Sequence, residues 1–533
     1  MPAEPIEAEF ASPPALSREQ EEEFREVGHE GLFLPSDNAS SPTHTLANVP
    51  TRLKDVERAF SEKGIKIVEF TKGAGEDPRE WGKPKKWLVT ITTSFLCLAV
   101  TLGSSIVTGD LEGPKVDLNT TNEIINLSVT CFVIGFGIGP LLLAPLSEFV
   151  GRKPIYCLSI FLYFVFTLPD PLAKNAATLI VSRQIAGLAA SAPMCNVGGS
   201  VSDVWAVEER GIPMALFSVT IFMGPCIGPI IGGWIGQMAG WRYIYWTLFA
   251  FVGACFILTL VIPESYAPVL LKRKAEALRK ETGDESYRTL AELEHIGLAE
   301  DLKIALTRPF ALLFGEAIVF FMSIYLTFVY SLLYLMFFAF PIAFAEIRGF
   351  GGGITGTTFV SLIIGIGIAM SLLPLQEKVY RKATKNGTFP EARLYTMMIG
   401  AFVLPVSLLI FAFTGAYAHV NFMGPCVGGA LFGFAMILLY VSANSYIVDS
   451  YSQFAASAIA AKTFLRSEVG ASVPLFVEQM FHHMGFQWAG LLLAMVSVLI
   501  LPMPFFFYKY GAGIRARSAK ASKDMRVPDD AKA

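Results

Sequence analysis

The chain has 533 residues, of which 53% are hydrophobic and only 16% charged, with a mean hydropathy of +0.51. A soluble domain carries about 25% charged residues, so an ordinary water-soluble globule is excluded. The net charge of −3 says little by itself, because in a membrane charge matters by side and not in total.

In chain order, residues 1–80 read as a disordered tail rich in Glu, Pro and Ser, with a short helix near Leu53–Phe60. The opening MPAEPIEAEF is acidic, lacks an apolar core and does not read as a secretory signal. Lys83, Lys85 and Lys86 beside Trp81 and Trp87 then form a basic, aromatic entry suited to an interface. Twelve apolar segments follow, near 87–107, 124–146, 154–172, 176–202, 211–237, 241–262, 311–338, 353–375, 394–415, 421–447, 455–480 and 487–508. Each is long enough for a membrane helix of about 20 residues and too uniform for the alternating strands of a membrane barrel. An all-α polytopic bundle satisfies its own backbone in lipid. The expected units are a bundle over 81–263, a middle loop over 264–308, a second bundle over 309–510 and a basic tail over 511–533.

Lys and Arg cluster before the first segment, at Arg152 and Lys153, at Arg210, at Lys272–Lys274 with Arg279 and Lys280, at Lys378–Lys385, and in the tail through Arg515 and Lys523. Alternate joints carry only Lys115, Lys174, Arg242 and Arg348. This alternation puts both termini and the middle loop in the cytoplasm. The first outer joint holds a glycosylation sequon at Asn119. All seven cysteines lie in apolar segments without a Cys-x-x-Cys or Cys/His cluster, so no disulfide framework and no metal are expected.

One joint repeats. APLSEFVGRK from Ala144 and LPLQEKVYRK from Leu373 share Pro, Leu, Glu, Val, Arg and Lys, each after the second helix of its six-helix half. Parallel repeats of this kind characterise transporters whose substrate site lies near the midplane between the halves.

Together these motifs resemble the major facilitator superfamily, in its fungal-type twelve-helix drug:proton antiporter branch. APLSEFVGRKP is similar to the superfamily's first signature, with Ala144 where Gly is usual and Glu148 where Asp is usual. SRQIAG resembles the second through Arg183 and Gly187. GPCIGPIIGG resembles the antiporter signature through Gly228, Pro229, Gly232 and Gly233. PESYAPVLLKRKAEALRKETGD, YIVDSY and AASAIAAKTFLRS look like the particular branch. The resemblance implies two pseudo-repeated six-helix bundles, alternating access and proton-coupled export of drugs, polyamines or secondary metabolites. It implies a plasma-membrane or vacuolar setting, a monomer, no cofactor and no nucleic-acid partner. It also implies a cytoplasmic latch of Glu148, Gly151, Arg152, Lys153, Glu377 and Arg381.

The residues allow their own reading. On a continuous helix Glu148 and Arg152 stand four apart and can pair. Arg183 is a lone arginine in an apolar segment, suited to partner a carboxylate or to snorkel toward headgroups. Gly224, Gly228, Gly232 and Gly233, with Pro225 and Pro229 between them, make a close-packed and bendable face. Candidate proton carriers are Asp203, Glu316, Glu468, Asp449 and Glu478. Glu468 is the deepest, and Lys462, six residues before it, is poorly spaced to pair with it. Tyr330, Tyr334 and Phe337 line one helical face, and with Asn444 they are candidates for the substrate cavity. GGGITG opens a membrane helix with no strand before it, so it does not read as a dinucleotide fingerprint, and no ATP-binding loop motif exists. His482-His483 reads as an interfacial pair. The expected activity is export of a small organic molecule against protons. The rivals are an exporter dedicated to one endogenous metabolite, a sensor with a transporter fold, and a membrane enzyme, for which no catalytic constellation stands out.

Overall fold

The computed structural model describes residues 66–521, except 72, 74, 207, 208, 295–297, 385–388 and 519 and the side chains of 293–301 and 453. The expected helix near Leu53–Phe60, Lys385 and Lys523 lie outside the described residues. Twelve helical passes run through it. In the first half these are α1 (Lys83–Ser105), α2 (Asn122–Val150), α3 (Arg152–Thr167), α4 (Ala176–Ala190 and Ala192–Val204), α5 (Gly211–Ala239) and α6 (Trp241–Val261). In the second they are α7 (Ala317–Pro341), α8 (Gly352–Thr357 and Val360–Ala383), α9 (Leu394–Gly415), α10 (Met423–Ser450), α11 (Ala455–Ser472 and Val477–Met484) and α12 (Phe486–Ile500 and Pro502–Arg517).

Nine described helical runs are long and apolar enough on their own to cross a membrane. The other passes have local reasons to fall short. α3 has 16 residues, α4 is broken at Ser191, and the 18 residues of Ala455–Ser472 carry Lys462, Arg466 and Glu468.

Packing follows the repeat. One apolar cluster holds residues of α1–α6, and a second holds those of α7–α12, reached from the first half by Val133, Phe222 and Cys226. Small residues bring helices together where the halves meet. Gly233 and Pro229 of α5 lie backbone to backbone against Gly352 and Gly356 of α8, where an added Cβ meets a carbonyl oxygen.

Three expected boundaries shift. Residues 66–80, placed in the disordered tail, are held against the middle segment. β1 (Lys66–Ile67) pairs in parallel with β2 (Tyr287–Arg288), and Lys274 Nζ reaches Glu76 at 2.6 Å. Lys66 Nζ, 2.8 Å from Asp284, and hydrogen bonds from Ser286 hold the Asp284 carboxyl well below the usual carboxylate range. The helix Leu298–Gly315 runs through the expected 308/309 boundary and ends just before Glu316, the residue preceding α7. α12 likewise passes 510 and continues to Arg517, because Arg515 is buried against Glu391 and not solvated in a tail.

Candidate functional site

At the end that carries the middle segment, α2 stops at Val150 because Gly151 takes φ +110° and ψ 160°, a conformation open essentially to glycine alone. The expected helical pairing of Glu148 with Arg152 is therefore absent, since the break turns α3 away from α2. Arg152 Nη1 instead donates to Ser147 Oγ (2.7 Å) and Asn196 Oδ1 (3.1 Å), and its Nε lies 3.5 Å from Asp203. Glu264, just beyond α6, accepts from the backbone N–H groups of Arg152 (3.0 Å) and Lys153 (3.1 Å), capping the first turn of α3 from far along the chain. Lys153 extends outward, its Nζ donating to the Leu260 carbonyl at 3.1 Å.

The second half differs from what the repeated motif suggested. Tyr380 stands where Gly151 does, so α8 continues to Ala383 and carries Arg381 outward, 75% exposed and paired with Glu377 one turn back. Its place is taken by Arg393, immediately before α9, which bridges Glu377 (2.7 Å) and Asp449 (3.0 Å) and lies over the Tyr380 ring at 3.4 Å. Arg152 and Glu377 of the expected latch thus belong to two separate clusters, and the pairs Arg152–Asp203, Arg393–Glu377, Arg393–Asp449 and Arg515–Glu391 each stay within one half.

Arg183 is fully buried and does not snorkel. It donates to the Gly103 carbonyl at 2.8 Å and lies over the Phe132 ring at 4.1 Å. Asp170, missed at the sequence level, is also fully buried and accepts from Ser182 in the same half. An acid inside LPDPL, at the end of the third apolar segment, was the available signal. Glu316 accepts from Tyr451 at 3.0 Å, and Asp449 is taken by Arg393 and Tyr380. Glu478 accepts from Asn122 at 3.1 Å across the halves, at the far rim.

Gly224, Gly228 and Gly232 face α1, where any added Cβ runs into Thr101, Ser105 or the Ile106 carbonyl, while Gly233 faces α8. The antiporter-like motif therefore touches both its own half and the other. α2 and α11 close a second seam, with Thr130 Oγ1 donating to the Ala471 carbonyl at 2.8 Å and Asn126 Nδ2 to that of Pro474 at 3.1 Å. Glu468 stands in this seam against Gly137, with its Oε1 buried and without a hydrogen-bond partner among the described residues.

Between these seams lies a nearly closed pocket of about 10 Å³ reached by both halves, lined by Thr101, Phe136, Phe222, Tyr330 and Arg466 among others. Of the expected cavity residues, Tyr330 lines it. Tyr334 meets the Tyr330 hydroxyl at 3.4 Å, and Phe337 packs inward against Phe359. Asn444 accepts from Lys462 Nζ at 2.7 Å. Arg466 was overlooked in the sequence, although a Lys and an Arg one turn apart in a helix of small residues are a readable signal. Exposed Asn119 adopts φ +48°, tolerated by asparagine, at the far end. His482 meets Glu346 at 2.8 Å there, and no group of potential metal ligands is found among the described residues.

A twelve-pass helical bundle with two half-cores, a shared central pocket and backbone seams between the halves is the architecture of a transporter, not an enzyme. The Major Facilitator Superfamily model matches residues 91–474, and the chain belongs to that family. It is 44% identical to the transporter paaT of Penicillium rubens, over 86% of this chain and 84% of that one. It is 40% identical to the multidrug transporter mdrA of Aspergillus fumigatus, over 84% and 74% of the two chains. It is 38% identical to polyamine transporter 3 of Saccharomyces cerevisiae, over 87% and 74%. The fold matches that of the proton:xylose symporter XylE at a TM-score of 0.59 and 15% identity, over 81% of this chain and 96% of that one.

Proposed function

We propose that this protein exports small organic molecules in exchange for protons, by rocking its two halves about the central pocket. The placement of Glu468 supports this reading most directly. Of the expected proton-coupling residues, Arg183, Asp203 and Glu316 are engaged within single halves, whereas Glu468 stands inside the α2–α11 seam. A carboxylate there is costly when ionised and dry, so its protonation favours the closed seam and its release favours separation. The halves meet closely at the far end through α5–α8 and α2–α11, while the Arg152 and Arg393 clusters are self-contained. Export, and not uptake, rests on the similarity to proteins named as multidrug and efflux transporters. Drugs, polyamines and secondary metabolites are the cargo classes this kinship suggests.

The test is flux in proteoliposomes under an imposed pH gradient. Glu468→Gln should abolish acceleration by the gradient while leaving counterflow exchange of substrate intact. If Glu468→Gln keeps full proton drive, the coupling assignment fails.

A further inference from the structure

Arg466 lines the central pocket, and a second buried basic residue, Lys462, stands behind it on the same helix. Lys462 and Arg466 are 1% and 2% exposed and sit one turn apart on α11. Lys462 Nζ donates to the Tyr440 hydroxyl at 3.2 Å and to Asn444 Oδ1 at 2.7 Å. Arg466 Nη1 donates to the same Tyr440 hydroxyl at 2.7 Å, its guanidinium lies 4.2 Å from the Tyr330 ring centre, and its Nε is buried without a partner. None of these partners is a carboxylate. Among the described residues no carboxylate forms an ion pair with either cation, and the nearest acid along the helix, Glu468, faces α2.

Two dry cations without a counter-ion are expensive, and dipoles offset only part of the loss of hydration. Such a pair persists where something else supplies the negative charge. Arg466 opens onto the central pocket beside Tyr330 and Phe222, and Phe222 meets the Tyr440 ring edge-on at 4.8 Å across the halves. A carboxylate set between the ammonium and the guanidinium is thereby followed by aromatic surface from both halves.

We infer that the cargo is an organic monocarboxylate with an apolar or aromatic body, its carboxylate serving as the counter-ion of Lys462 and Arg466. This rests on the transport reading above and narrows it. A cationic cargo is disfavoured. One like-charge contact at about 4 Å, with an effective permittivity of about 20, amounts to roughly a hundredfold to a thousandfold in binding.

The experiment uses the purified full-length protein and three probes that share a skeleton and differ in charge: 4-phenylbutyrate, 4-phenylbutanamide and 4-phenylbutylamine. Binding is read as thermal stabilisation in detergent, and flux is read separately in proteoliposomes. The carboxylate should bind at least tenfold more tightly than the amide, and the amine least. Lys462→Met removes a charge without emptying its volume, so the protein should melt no lower than wild type. Its affinity for the carboxylate should fall by about tenfold to a hundredfold with that for the amide unchanged. Arg466→Lys, which keeps the charge, should retain part of the preference. The proposal is overturned if the amine or amide binds as well as the carboxylate, if Lys462→Met keeps the preference, or if none of the three binds. Lys462-dependent carboxylate binding without flux sinks the transport reading and leaves the anion site standing. Proton-driven export of the amine does the reverse.

Discussion

The joints after α2 and after α8 share one sequence motif, yet they build their charge clusters differently. In the first half Gly151 stops the helix, and the next residue, Arg152, turns inward to Asp203, Ser147 and Asn196. In the second, Tyr380 lets the helix run on, the aligned Arg381 points to solvent, and Arg393 takes the inward role from the start of α9. The conserved quantity is the pairing of a cation at the start of the third helix with an acid near the end of the fourth. A single glycine decides which arginine supplies it.

That comparison can be broken most severely at Arg152. Arg152→Ala leaves Asp203 largely buried and unpaired, so a loss of about 3–5 kcal/mol is expected, read as a collapse of the monodisperse detergent-extracted fraction on mild heating. Arg393→Ala should cost less, about 2–3 kcal/mol by the same assay, because buried Asp449 keeps the Tyr380 hydroxyl and Glu377 is 39% exposed and regains water. Gly151→Ala forces a side chain into a backbone region costing about 1–3 kcal/mol and drives its Cβ onto the Glu264 carboxylate. Its midpoint should fall through backbone strain, whereas Tyr380→Ala, at the aligned position, should lose ring contacts and its hydrogen bond to Asp449 without straining the backbone. Arg381→Ala should be nearly silent, within about 0.5 kcal/mol, since its pair is exposed. If Arg381→Ala proves as damaging as Arg393→Ala, the repeat alignment was the better guide and the exchange of roles is wrong.

The bundle itself was legible because lipid demands long apolar helices whatever their partners. The glycines of α5 were legible too, since close approach needs small residues at helical spacing. What escaped were pairings set by the fold. Glu391 and Arg515 form a fully buried bidentate pair across 124 positions, and nothing local in a basic tail announces it. Arg393 was hidden by a persuasive alignment that placed Arg381 opposite Arg152. Glu264 looked like the start of a loop and proved to cap α3. In each case the deciding fact is where a helix stops, which local hydropathy reports poorly.

The basic pair on α11 also constrains how the chain is assembled. Insertion scales charge about 2.5–3.5 kcal/mol for each Lys or Arg at a helix centre, or roughly 5–7 kcal/mol for Lys462 and Arg466 together. The alanines and serines around them return little of that, and this pass is not among the runs apolar enough to cross unaided. α11 must therefore enter lipid in company. α10, with Tyr440 and Asn444, and α7, with Tyr330, have to be in place to receive the two cations. Both precede α11 in the chain, so a fault in α7 or α10 would leave the two cations of α11 without their partners on entry.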